Sequence, residues 1–101
     1  MIPIDVQIVR TLRTIYDPEI PVNIYDLGLI YEVAANEDGN VQILMTLTAP
    51  GCPMADDLVQ EIHDRIMEID GVKAVTVKLT FNPAWNRDMM SDDAKLELGF
   101  L

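Results

Sequence analysis

Cys52 is the only cysteine of the chain, and it sits in the run Thr46-Leu47-Thr48-Ala49-Pro50-Gly51-Cys52-Pro53-Met54-Ala55-Asp56-Asp57. A thiolate is both a nucleophile and a ligand for soft metals, and its formation depends on the local field. Pro50 and Gly51 break the extended pattern that precedes them. Pro53 suits the first position of a helix, because its φ is fixed and it has no N–H to leave unpaired. The spacing predicts Cys52 as an N-cap, with its sulfur near the free N–H groups of Met54 and Ala55. Those donors and the positive end of the helix dipole favour the thiolate. Asp56 and Asp57 oppose it, since nearby anions disfavour a second negative charge. The same residue also fits a plainer role, as a small buried apolar side chain.

Asp17 and Glu19 are the second candidate pair, in Asp17-Pro18-Glu19-Ile20-Pro21-Val22-Asn23. Two prolines in this run exclude a helix and predict a stiff, ordered loop that presents both carboxylates. Such acids also serve ordinary turn chemistry. His63, the only histidine, follows Cys52 by eleven residues on what should be the same helix. At 1.5 Å per residue the two are roughly 16 Å apart, which excludes an intrachain thiol–imidazole dyad. His63 falls at the edge of an apolar stripe and reads as a boundary residue. Structural zinc needs four ligands and an iron–sulfur cluster normally takes four thiolates, so one chain alone completes neither site. Phosphate-cradling loops and serine-hydrolase elbows are absent from the sequence.

The elements that must position these residues follow from periodicity. Ile4, Ile8, Leu12 and Ile15 predict an amphipathic helix from about 4 to 15. Leu29, Tyr31, Val33 and Ala35 alternate against Ile30, Glu32 and Ala34 as a strand. Asp38-Gly39 then marks a hairpin turn within Asn36 to Asn40. Val41, Ile43, Met45 and Leu47 alternate against Gln42, Thr46 and Thr48 in a second strand that delivers the chain to the cysteine. A second helix is predicted from about 53 to 69, with Leu58, Val59, Ile62, Ile66 and Ile69 inward and Asp57, Glu61, Asp64 and Glu68 outward. Gly71 is its stop signal. Val75, Val77, Leu79 and Phe81 make a third strand, an irregular segment carries Trp85, and Ser91 caps a short last helix. Trp85 reads as a residue that closes the core. The order helix-strand-strand-helix-strand predicts an α+β fold, a small three-stranded mixed sheet with helices on one face.

The chain of 101 residues suits one domain, residues 1–101, and half of it is apolar. Seventeen acidic against seven basic residues give a net charge of −10. That surface repels a phosphate backbone, which argues against nucleic acid as a partner. No apolar run approaches the ~20 residues of a membrane span, and no signal peptide is read. A single cysteine forbids an intrachain disulfide and suits a reducing cytoplasm.

Three stretches together resemble a known family. Asp17-Pro18-Glu19-Ile20-Pro21-Val22-Asn23-Ile24-Tyr25-Asp26-Leu27-Gly28-Leu29-Ile30 is similar to the hallmark loop of the SufT/PaaD-like iron–sulfur maturation proteins. Thr46 to Ala55 resembles their cysteine motif, and Pro83-Ala84-Trp85 with Met90-Ser91-Asp92-Asp93-Ala94-Lys95 resembles their closing segment. The resemblance implies a small α+β fold that helps to assemble iron–sulfur clusters or deliver them to client proteins. It carries a functional thiol onto Cys52 and the acidic loop onto Asp17 and Glu19, and Thr48 is counted with them as a site residue. It further implies scaffold and client proteins as partners and no stably bound cofactor, a cluster being held only in transit. A homodimer bringing two Cys52 thiols together, completed by small thiols, is one way to hold such a cluster. Two alternatives stay open: a stand-alone thiol enzyme, and an assembly subunit of a phenylacetyl-CoA oxygenase-type system. The second typically carries a cysteine-rich C-terminal region that this sequence lacks. On the family reading, Asp17 and Glu19 are expected beside Cys52, and Cys52 is expected to be exposed and reactive.

Overall fold

The computed structural model describes residues 2–48 and 55–99. Helix α1 spans Ile4–Leu12, strands β1 and β2 span Ile30–Ala35 and Asn40–Met45, and helix α2 spans Ala55–Met67. Strand β3 covers Ala74–Leu79, a 3-10 turn covers Arg87–Met89, and helix α3 covers Asp92–Glu97. The sheet order is β1-β2-β3, with β1 antiparallel and β3 parallel to β2. The expected α+β architecture is present: α1 lies against β1, α2 against β3, and the two helices touch each other. No helix among the described residues is long and apolar enough to cross a membrane.

The alternation of β2 sets the core. Val41, Ile43, Met45 and Leu47 are all buried, and they meet Ile8, Leu12, Leu58, Ile62 and Ile66 from the helices. Burying one such side chain contributes about 1.5–3 kcal/mol, so this set is the main source of stability. The hairpin joins as expected. The Asn36 side-chain oxygen accepts from the backbone N–H groups of Asp38 and Asn40, and Gly39 takes φ +86°.

β2 ends at Met45 and not at Thr48, and β3 at Leu79 and not at Phe81. Two further details differ from the periodicity reading. The register runs from Ile30 opposite Met45 to Glu32 opposite Leu44, leaving Tyr31 as an extra, unpaired residue. This bulge puts Ile30 on the core side with Val33, and not with Glu32 and Ala34 as strict alternation requires. The first helix also ends at Leu12, three residues early. Thr14 gives its N–H to the Thr11 carbonyl (2.9 Å) and its hydroxyl to the same oxygen (2.6 Å), which tightens the turn and stops propagation. Ile15 remains buried beyond the helix end.

The C-terminal segment straps the sheet from outside. Ser91 caps α3 by accepting from the Ala94 N–H, as its position in the sequence indicates. Trp85 is half-buried and donates its indole N–H to the Leu27 carbonyl at 2.7 Å, consistent with a core-closing role. Tyr31 donates its hydroxyl to the Pro83 carbonyl at 2.8 Å, and the Ser91 N–H reaches the Asp26 carbonyl at 2.8 Å. Gly28, at φ +84°, sits so close that an added Cβ would lie 2.2 Å from the Met89 carbonyl oxygen.

Candidate functional site

The loop between α1 and β1 is built by its own polar groups. Ile24 donates to the Ile15 carbonyl at 2.9 Å and Asp17 to the Val22 carbonyl at 3.3 Å, so the loop closes on itself. Pro18 and Pro21 stiffen it between those ties. Asn23 and Asp26 clasp each other, the Asp26 N–H reaching Asn23 Oδ1 at 2.9 Å and Asn23 Nδ2 reaching Asp26 Oδ2 at 2.8 Å. Arg13 stacks over Tyr25, 5.2 Å from its centroid, and lies 3.6 Å from the Asp26 carboxylate.

Asp17 and Glu19 play different parts. Asp17 is buried, 7 % exposed, and its Oδ2 accepts from the backbone N–H groups of Glu19 (2.9 Å) and Ile20 (2.8 Å). Its other carboxylate oxygen has no hydrogen-bond partner among the described residues. Glu19 is exposed, and among the described residues its side chain has no hydrogen bond or ion pair. One acid therefore shapes the loop and the other is presented by it.

This loop meets the first turns of α2. Tyr16 and Pro18 face Asp57, Leu58 and Glu61 across a cleft of about 90 Å³. A second tie runs through the strands: the Thr46 N–H donates to the Leu29 carbonyl at 2.8 Å, joining the loop's exit to the end of β2. The acidic loop, the half-buried Thr48 and the start of α2 thus share one end of the molecule. Cys52, with its expected N-cap position, accessibility and distance from His63, lies outside the described residues, as do all of 49–54. His63 flanks the buried Ile62 on α2, its Nδ1 3.1 Å from Asp64 Oδ1, as a boundary residue would. That contact, followed by the Gln60 amide, holds the Asp64 carboxyl below its ordinary value of 3.8.

Thr46 was not singled out by the sequence. It is fully buried, and its Oγ1 has no hydrogen-bond partner among the described residues. Alternation assigns it to the polar side of β2, and nothing local signals that this end of that side is covered. Among the described residues no three His, Cys, Asp or Glu side chains converge on a metal position. A larger groove of about 530 Å³ between α1 and β1, lined by Arg10, Arg13, Tyr25 and Tyr31 among others, includes none of Asp17, Glu19 and Thr48.

Residues 5–79 match the model of a family described as iron-sulfur cluster assembly protein. The chain belongs to that family. It is 60% identical, over 93% of its length and 90% of the relative's, to an Fe–S protein maturation auxiliary factor of Porphyromonas gingivalis. Identity to the Fe–S protein maturation auxiliary factor YitW of Bacillus subtilis is 44%, over 91% of this chain and 90% of that one. Among solved structures, a DUF59 domain from Bacillus anthracis superposes with a TM-score of 0.90 at 35% identity, covering 97% of this chain and 93% of the other. The assembly-protein match takes in both the acidic loop and the cysteine motif of the sequence.

Proposed function

We propose that this chain is an iron–sulfur maturation factor that passes clusters to client proteins through the thiol of Cys52. The observation that carries the reading is the packing of the Asp17–Ile20 loop against the first turns of α2, beside the end of β2 that leads into the cysteine motif. It is supported by the names of the relatives, which are maturation auxiliary factors. In this reading the cluster is cargo. The Cys52 thiolate takes one coordination position on an exposed iron, and the remaining ligands come from donor and acceptor proteins. In this reading Asp17 holds the loop, Glu19 offers a second anionic ligand or a proton acceptor, and Thr48 serves the site from the segment between β2 and the cysteine motif. One thiolate cannot complete a cluster site, so binding is brief by construction, which favours release to a client. A free thiol of this kind suits the reducing cytoplasm.

Cells carrying Cys52→Ser in place of the wild-type chain should lose activity of iron–sulfur client enzymes. The purified variant should keep its circular dichroism spectrum and melting temperature. Normal client activity with this variant would overturn the reading.

A further inference from the structure

β3 stands at one end of the strand order. Ala74 donates to the Gly39 carbonyl at 3.3 Å and Thr80 to the Met45 carbonyl at 2.8 Å. The even-numbered residues of β3 therefore turn their backbone groups to β2. In a parallel ladder the alternate residues point the other way, so Val75, Val77 and Leu79 present their N–H and C=O groups to an edge with no neighbouring strand among the described residues. An unpaired row of this kind is a template for another strand.

The side chains around that edge are apolar and open. Leu79 is 43% and Phe81 40% exposed. On α2, Glu61 and Arg65 lie on the flank facing α1, where Arg65 reaches Thr14. The opposite flank, Val59, His63 and Met67, therefore overhangs the β3 edge. Charge singles out the β3 segment itself, whereas on the α2 flank the Asp64 carboxylate stands beside His63. Residues 71–86 contain no carboxylate, although acids outnumber bases seventeen to seven in the chain. Two copies repel each other over most of their surfaces, and this edge is where approach costs least.

We infer that a second copy of this chain occupies the edge, in an isologous dimer whose two β3 strands run antiparallel about Val77. Centring on Val77 sets Val75 opposite Leu79 of the other copy and Thr76 opposite its Lys78. Lys73 then meets the ring of Phe81, a cation on an aromatic face. Moving the axis to Lys78 would put like charges directly opposite, which is unfavourable. The outward backbone groups of both copies are satisfied, and the two sheets join into one of six strands. Because the pairing is antiparallel, the two Ala55 ends of α2 lie at opposite ends of the joint. This dimer therefore does not bring the two N-terminal ends of α2 together, and it is independent of the proposed function.

Sedimentation equilibrium of the full chain should return twice the 11.3 kDa chain mass, with the dimer fraction rising as salt screens the shared negative charge. Leu79→Lys, at an exposed position, should halve the mass with an unchanged circular dichroism spectrum. In a Cys52→Ser background, Thr76→Cys combined with Lys78→Cys should oxidise to a covalent dimer, since these two positions face each other only across the axis. A wild-type chain that stays monomeric up to its solubility limit would overturn the inference. So would a dimer that survives Leu79→Lys, or a paired-cysteine variant that does not crosslink.

Discussion

Asp17 is the residue at which loop shape and chemistry are hardest to separate, and substitution can part them. Asp17→Ala removes the acceptor for two backbone N–H groups and should cost about 2–3 kcal/mol in urea unfolding. Asp17→Asn keeps an acceptor and should cost only about 1 kcal/mol. If the negative charge itself serves client maturation, Asp17→Asn will lose activity out of proportion to that small change. Thr46 gives the opposite kind of result. Its buried hydroxyl has no partner among the described residues, so Thr46→Val should leave the melting temperature equal or higher. A clear loss of stability would mean that the hydroxyl is satisfied by residues 49–54. Asp64 offers a pH test with a defined sign. Its lowered folded value adds stability above 3.8 that disappears as pH falls below that value. The group is solvent-exposed, so the acid-unfolding midpoint of Asp64→Asn should be indistinguishable from wild type.

At the scale of elements, the turn at Gly28 is the point where loop, strand and C-terminal segment are pinned together. Gly28→Ala meets both a left-handed backbone and the Met89 carbonyl, and should cost at least about 2 kcal/mol in equilibrium unfolding. The elements themselves were largely legible. Three alternating apolar residues in β2, with Leu47 just beyond it, and the stripe from Leu58 to Ile66 in α2 are direct consequences of burying one face, and they are buried where periodicity puts them. The bulge at Tyr31 was not legible, because no glycine or proline marks it. It follows from the Tyr31 hydroxyl and ring being drawn toward the strap at Pro83 and Met89, residues more than fifty positions away. The early end of α1 is similar in kind. Thr14 can continue a helix or turn back on Thr11, and only the packing of Ile15 against the loop selects the second. The acidic loop was read as ordered, but the sequence could not separate the buried Asp17 from the exposed Glu19, since both acids sit in the same proline-rich run.

For the molecule as a whole, the fold puts the α1–β1 loop, the end of β2 and the start of α2 at one end, and leaves the β3 edge on the side away from α1. On the proposed function and the inferred dimer, a second copy lies along β3 while the loop end stays open to client proteins. Among the hydrogen bonds that hold the C-terminal segment is one from the only tryptophan to the Leu27 carbonyl. That makes the indole a built-in optical gauge of the loop. Its donor is anchored to the Leu27 backbone, three residues from Ile24 and four from Asn23, so on the proposed function movement of the acidic loop on client docking will alter the polarity around the ring. A shift in emission on mixing with a tryptophan-free client would report docking in real time without any added dye, and Trp85→Phe would silence the signal at a cost of about 1 kcal/mol.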